Sequence, residues 1–262
     1  MSSAALHIAR TGLDAQDTRM RVISNNLANV NTTAFKKDRA AFETLAYQVV
    51  TAPGAASTSE TRYATGLNLG TGVRIQGTAR IDTQGSMQTT GNSLDVALDG
   101  DGYFQVQLPG GQLGYTRAGN FTRSPEGLLV TSEGYQVMPG ITIPEGTTAI
   151  AIGTDGTVSA TVPGQTEPSQ IGQIQVASFP NSAGLQATGD NYVIETAASG
   201  AVNLGIAGQD GRGQIRQGML EGSNVNVVEE LVDMIETQRA YEVNSKMISA
   251  TDDMLKYVNQ NL

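Results

Sequence analysis

The sequence predicts an α+β protein. Two terminal helices, discontinuous along the chain, form a coiled coil, and a central all-β domain is built of short antiparallel strands. Three observations carry this prediction. Residues 1–34 and 224–262 each repeat apolar side chains seven apart, the period of a helical seam. Residues 76–223 alternate short apolar runs with Gly, Pro, Asn and Asp turns, the grain of an antiparallel β body. The 262 residues are also enough to bury a core for such a body.

At the N-terminus, Leu6, Leu13, Met20 and Leu27 fall seven apart, with Ala9, Ile23 and Val30 as a companion series. Gly12 is a soft spot in this helix. Asn29, Asn31, Thr32 and Thr33 are poor mid-helix residues and mark its stop. At the C-terminus, Val227, Met234, Tyr241, Ile248 and Leu255 again fall seven apart, broadened by Leu231, Ala240, Met247 and Met254. Asn224 or Asn226 is placed to cap the start, and Glu229 and Glu230 suit the positive end of the helix dipole. A continuous helix of about 35 residues spans roughly 50 Å.

Between the helices, residues 35–75 read as an extended arm with an insertion. Its stretch from Tyr47 to Gly72 carries Pro53, Gly54, Gly66, Gly70 and Gly72 and shows no clear period. A structureless loop of that length inside a compact domain points to a functional or mobile segment. In the β domain, the run from Tyr103 to Leu108, then Pro109-Gly110-Gly111, then Leu113 to Arg117, reads as a hairpin. Leu128-Leu129-Val130 and Tyr135 to Met138 flank a second turn, and Ala149 to Ile152 precedes a third at Thr154-Asp155-Gly156. Ile171 to Phe179 alternates as one strand.

Each terminal helix carries an apolar seam that needs a partner, since burying one Leu or Ile contributes roughly 1.5–3 kcal/mol. Residues 1–39 hold six basic and three acidic side chains, and residues 225–262 hold seven acidic and three basic. Opposite net charge favours pairing between the two ends, through choice of partner more than strength. Two arrangements fit: a helix pair resting on its own β body, or helices that bury their remaining apolar positions against other copies. A head-to-tail contact that does not close builds a filament.

Composition removes several functions. With 16 basic against 25 acidic residues, a net charge of −9 and a pI near 4.6, the chain lacks the basic stripe that nucleic acid requires. With no Cys there is no disulfide, thiolate nucleophile or Cys-based zinc site. Arg10, Asp14 and Asp17 interrupt any apolar leader core, and no run approaches the roughly 18–20 apolar residues of a membrane span.

Sharper local readings compete poorly. Asp95, Asp99 and Asp101 lack the longer ligand series and closing Glu of a calcium loop, and Asp-Gly-Asp-Gly is a turn former. His7 is the sole histidine and lies in the first turns of the terminal helix, a flexible end that is a poor base for a Ser–His–Asp set or a His-ligated metal centre. Gly208, Gly211 and Gly213 lack the Lys-Ser/Thr of a phosphate loop. Asn31-Thr32-Thr33 and Asn120-Phe121-Thr122 match glycosylation triplets that arise often by chance. No catalytic residue, metal ligand or cofactor is expected. A secreted β-rich adhesin trimerised by helices is an alternative, but eight Tyr, five Phe and no Trp make a poor binding platform.

Three segments carry a family resemblance. Ser24-Asn25-Asn26-Leu27-Ala28-Asn29-Val30-Asn31-Thr32-Thr33-Ala34-Phe35-Lys36 resembles the N-terminal signature of bacterial flagellar rod and hook proteins. Leu94 to Phe104, followed by Tyr115-Thr116-Arg117-Ala118-Gly119-Asn120-Phe121, resembles their central signature. Gly222-Ser223-Asn224-Val225-Asn226 through Met234, then Gln238-Arg239-Ala240-Tyr241-Glu242, resembles their C-terminal one. Within that family the length and the Tyr47–Gly72 insertion resemble distal rod subunits more than proximal rod or hook subunits.

The resemblance implies a structural subunit of the flagellar basal body, not an enzyme. It implies export without signal cleavage through the flagellar type III apparatus, and polymerisation into a periplasmic drive shaft that carries motor torque to the hook. Implied partners are further copies of the chain, the proximal rod and hook-side axial proteins, and the P and L ring proteins. It assigns assembly to Leu6, Leu13, Met20, Ile23, Leu27 and Val30 of the first helix and to Val227, Leu231, Met234, Tyr241, Met247, Ile248 and Leu255 of the second. Asn25, Asn26, Asn29, Asn31 and Phe35 are the N-terminal motif positions.

Overall fold

The computed structural model describes residues 2–56, 61–164 and 167–260. Met1, the 57–60 stretch of the expected insertion and the last two positions of the expected C-terminal helix lie outside the described residues. The chain forms two compact units. One collects residues 1–28, 38–80 and 226–262, the other residues 29–37 and 81–225. The class is α+β, with a helix towards each end and many short antiparallel strands between.

In the first unit, α1 (Ser2–Ala28) and α2 (Val227–Gln260) pack side by side. Gly12 of α1 lies against Asn244 of α2, Arg19 against Asp233, and Asn26 against Glu230. As one number rises the other falls, so the helices run antiparallel. The buried α1 positions are Ala9, Ala15 and Ile23. Small side chains let the backbones approach, and Gly12 belongs to the same device: a Cβ there would stand 3.2 Å from the Asn244 amide. α2 buries Glu230 and Thr237 on the facing side. Asn226 caps α2, its side-chain oxygen accepting from the Val228 N–H at 3.0 Å.

The expected arm and insertion of residues 35–75 overlap residues 38–80, which carry four strands. They fold back on themselves as β1 (Asp38–Thr44), β2 (Gln48–Thr51), β3 (Leu67–Leu69) and β4 (Val73–Arg80). β1 pairs with β4 across a bulge at Ala41/Phe42, and β2 pairs with β3. Pro53 and Gly54 turn the chain, with Gly54 at φ +78°. The expected start of the β domain at 76 therefore falls inside β4.

The second unit is built around the strand Tyr103–Gln107, which pairs with Leu113–Thr116, Gln136–Val137 and Gln175–Ser178. Its core includes Val96, Leu98, Phe104, Val106, Phe121, Val137, Ile174, Val176 and Ile215. Phe104 and Phe121 meet edge to face at 5.2 Å. The three expected hairpins are present. The single strand expected over Ile171–Phe179 is two, Ser169–Gln173 and Gln175–Ser178, in different sheets. Ile174 between them is fully buried, its N–H donating to the Gly156 carbonyl at 2.8 Å, so the chain changes sheet there. Gly100 and Gly102 both have positive φ: the chain leaves the strand at Asp99, bends at Gly100 and forms a bridge from Asp101 to Arg212.

Candidate assembly interface

α2 has two apolar faces, and only one of them meets α1. Facing α1, Met234, Ile248 and Leu255 are half-buried beside the buried Thr237 and Glu230. On the opposite face, Val228, Leu231, Val232 and Ile235 follow the i, i+3, i+4, i+7 spacing of one helical stripe. Val243, Met247 and Met254 continue it. All seven are 43–70% exposed. The free face of α1 differs in kind: Arg10, Asp14, Arg21, Ser24 and Asn25 are exposed, and Ile8 is its one exposed large apolar residue among those described.

The expected heptad Val227–Met234–Tyr241–Ile248–Leu255 is thus split. Val227 and Tyr241 stand outside the helix pair, as do Leu231 and Met247, while the other three lean into it. On α1, Leu6, Leu13, Met20 and Leu27 are half-buried and Ile23 is buried. Val30 lies beyond the helix, in the turn that opens the second unit. Of the charges expected to pair the two ends, Arg19–Asp233 at 3.3 Å joins α1 to α2.

The N-terminal motif positions have separate roles. Asn26 is 2% exposed and reads both polar groups of Asp38's backbone: its oxygen accepts the Asp38 N–H at 3.0 Å and its amide donates to the Asp38 carbonyl at 2.9 Å. The same amide donates to Glu230 at 3.2 Å. Asn25 and Asn31 are exposed and Asn29 accepts from the Thr32 hydroxyl. Phe35 is buried in the second unit, where its carbonyl accepts the Asn224 N–H.

In the insertion, Pro53, Gly54 and Gly70 are exposed. A Cβ on Gly66 would stand 2.6 Å from the Thr51 carbonyl, so only glycine lets β3 return past the turn. Gly72, at φ +121°, sits where a Cβ would meet the Thr11 hydroxyl at 2.3 Å, so glycine is required on both counts. Tyr47, Val49, Val50, Leu67 and Leu69 leave this ribbon with a second exposed apolar surface.

Sequence reasoning missed a buried charge cluster in the second unit. Lys36 and Glu221 pair at 2.5 Å with side chains 4% and 0% exposed. Arg117 pairs with the other Glu221 oxygen at 3.3 Å, off the line of a hydrogen bond. The first Glu221 oxygen also accepts the Gly85 N–H. Burial, reinforced by Arg117, pushes the Lys36 ammonium below its ordinary pKa, against the opposing pull of Glu221 and Asp82. Lys36 and Arg117 end or sit within family signatures and Glu221 immediately precedes one. That placement was the available signal.

Among the described residues no group of three or more His, Asp or Glu is arranged to hold a metal, and no helix is long and apolar enough to cross a membrane. Among the described residues, the free face of α2 and the exposed ribbon are apolar surfaces open to solvent.

Three family models match the chain: one described as a flagella basal body rod protein over residues 6–36, one as a flagellar hook protein FlgE/F/G D1 domain over 97–160, and one as a flagellar basal body rod FlgEFG protein C-terminal region over 216–261. The chain is 50% identical to the flagellar basal-body rod protein FlgG of Buchnera aphidicola over 98% of both chains. In Caulobacter vibrioides it is 46% identical to FlgG over 98% of both chains, and 36% identical to the rod protein FlgF. With near-complete coverage of these relatives and matched signatures at both ends and in the middle, the chain belongs to the flagellar basal-body rod and hook family.

Proposed function

We propose that this chain is a subunit of the distal rod, polymerising head to tail into a stiff helical tube. The observation that carries this reading is the apolar stripe on the free face of α2. Contiguous exposed apolar surface of this kind marks an interaction site. A polar free face on α1 and an apolar one on α2 suit a heterologous contact, the type that builds open filaments. Leu231 and Met247 act there, Val227 and Tyr241 flank the α1 contact, and Met234, Ile248 and Leu255 hold α2 to α1. The ribbon β2–β3 braces neighbouring copies through its exposed Val and Leu side chains.

In this reading the unfolded chain leaves through the flagellar type III apparatus and assembles in the periplasm. It meets the proximal rod below, hook-side axial proteins above, and the P and L ring proteins around it. It works mechanically, takes no cofactor, contacts no nucleic acid and does not enter the membrane. Rigidity comes from many identical contacts, each modest, repeated along the tube.

Deleting the gene in its own organism tests the reading. Basal bodies should stop before the hook and regain it when the chain is restored. Complete hooks and normal swimming without the chain would overturn it.

A further inference from the structure

The chain passes between the two units at residues 28/29, 37/38, 80/81 and 225/226. Three of these passages leave the second unit from one spot, and a single side chain ties them. The Asn224 side-chain oxygen accepts the Lys37 N–H at 2.7 Å. Its amide donates to the Ile81 carbonyl at 2.8 Å and to the Thr83 carbonyl and hydroxyl at 3.0 Å. The Asn224 N–H donates to Phe35, and the Ile81 N–H to Lys37. One residue beyond this ring, Lys36 donates to the Thr83 carbonyl at 2.7 Å and pairs with Glu221. Ala34 donates to the Glu221 backbone carbonyl.

We infer that Asn224, with the buried Lys36–Glu221 pair beneath it, is a clamp that makes three passing strands one mechanical element of the subunit. The physical reason is the softness of a single chain. One strand swivels about two backbone dihedrals per residue. Three strands held side by side cannot turn independently, and hydrogen bonds loaded in parallel share a force that would otherwise open them one at a time. Asn suits the post because it alone of the short side chains offers an acceptor and two donors together. The buried ion pairs beneath it, Lys36–Glu221 at 2.5 Å and Arg117–Glu221 at 3.3 Å, fix the geometry, since moving one member strands the others. The clamp's existence is independent of the rod assignment; its use in transmitting torque rests on that assignment.

Hydrogen exchange on the full-length protein tests the clamp. In Asn224→Ala, the Lys37, Ile81 and Phe35-bonded Asn/Ala224 amides should all exchange faster, by roughly tenfold or more, as expected when several hydrogen bonds vanish together. The Leu129 amide, bonded to Ile141 in the core, serves as the control and stays protected. Asn224→Asp keeps the acceptor for Lys37 and removes the donors to Ile81 and Thr83. If the three strands act as a unit, Lys37 is still released. Faster exchange confined to the Lys37 amide in Asn224→Ala, or unchanged Lys37 exchange in Asn224→Asp, overturns the clamp. Its mechanical use is read in cells: variant swimmers with full-length filaments should slow more steeply than wild type as viscosity rises. Identical speeds at every viscosity would refute that use. A wild-type chain that fails to restore flagella would refute the rod assignment and leave the exchange result standing.

Discussion

The β unit of residues 81–225 and the helical unit of 2–28, 38–80 and 226–260 treat their apolar side chains in opposite ways. In the first, Phe104, Val106, Leu98, Val137 and Ile174 are fully buried around one core. In the second, the helix pair meets through Ala9, Ala15, Ile23 and Thr237, while Val228, Val232, Ile235 and Met247 face outward. A unit whose large apolar groups are enclosed is complete as a monomer. A unit that buries Ala9, Ala15, Ile23 and Thr237 between its helices and leaves Val228, Val232, Ile235 and Met247 outside carries a surface of the kind that marks an interaction site. On the proposed rod reading, the difference separates residues that hold the subunit together from residues that hold subunits to each other.

Substitutions in the enclosed unit should show the largest effects on the free protein. Glu221→Gln leaves Lys36 and Arg117 buried without their carboxylate and should cost about 3–5 kcal/mol, read by urea denaturation. Phe104→Ala, at 0% exposure, should cost a similar ~3–5 kcal/mol through the cavity it opens. Asn26→Ala in the helical unit removes bonds to Asp38 and Glu230 and should cost about 1–3 kcal/mol, with its loss confined to that unit by hydrogen exchange.

A pH experiment sharpens the same contrast. Tyr192 is buried; its hydroxyl donates to Glu133 at 2.6 Å, and its oxygen accepts from the Thr131 hydroxyl at 3.0 Å. Burial would raise the Glu133 pKa, but hydrogen bonds led by the Tyr192 hydroxyl outweigh it and hold the carboxyl below its ordinary value. Burial, then the Glu133 hydrogen bond, raises the Tyr192 hydroxyl well above its own. A lowered carboxyl stabilises the fold above its unfolded pKa and loses that contribution as pH falls. A raised phenol stabilises below its unfolded pKa and loses it as pH climbs past 10. Tyr192→Phe should flatten both limbs of the stability–pH curve, by about 1 kcal/mol because Glu133 faces solvent.

The smallest effect on the free protein should come from the exposed stripe. Ile235→Asp should change monomer stability by no more than about 0.5 kcal/mol, as exposed substitutions do. Its effect belongs to assembly.

What could be read in advance follows from the same contrast. The hairpins at 103–116 and 129–137 were legible because turn residues at 109–111 and 132–134 separate runs that bury their apolar groups. The ribbon at 48–69 was hidden because Val49, Val50, Leu67 and Leu69 are all exposed, so no in–out alternation marks it as β. α2 was legible as a helix by its length and cap, but apolar residues on two faces obscured which one meets α1. Ile23 could be placed by its heptad companions. Lys36, Arg117, Glu221 and Asn224 could not be, because their side-chain bonds span up to 187 positions and no local pattern encodes them.

The most direct measurement is electron microscopy of basal bodies from cells whose only copy of this chain carries Val232→Asp and Ile235→Asp, with the purified variant's melting temperature beside it. The account predicts a normally folded, exported protein and basal bodies that end before the hook. Complete rods and hooks built from that variant would contradict the assignment of the free face of α2 to assembly.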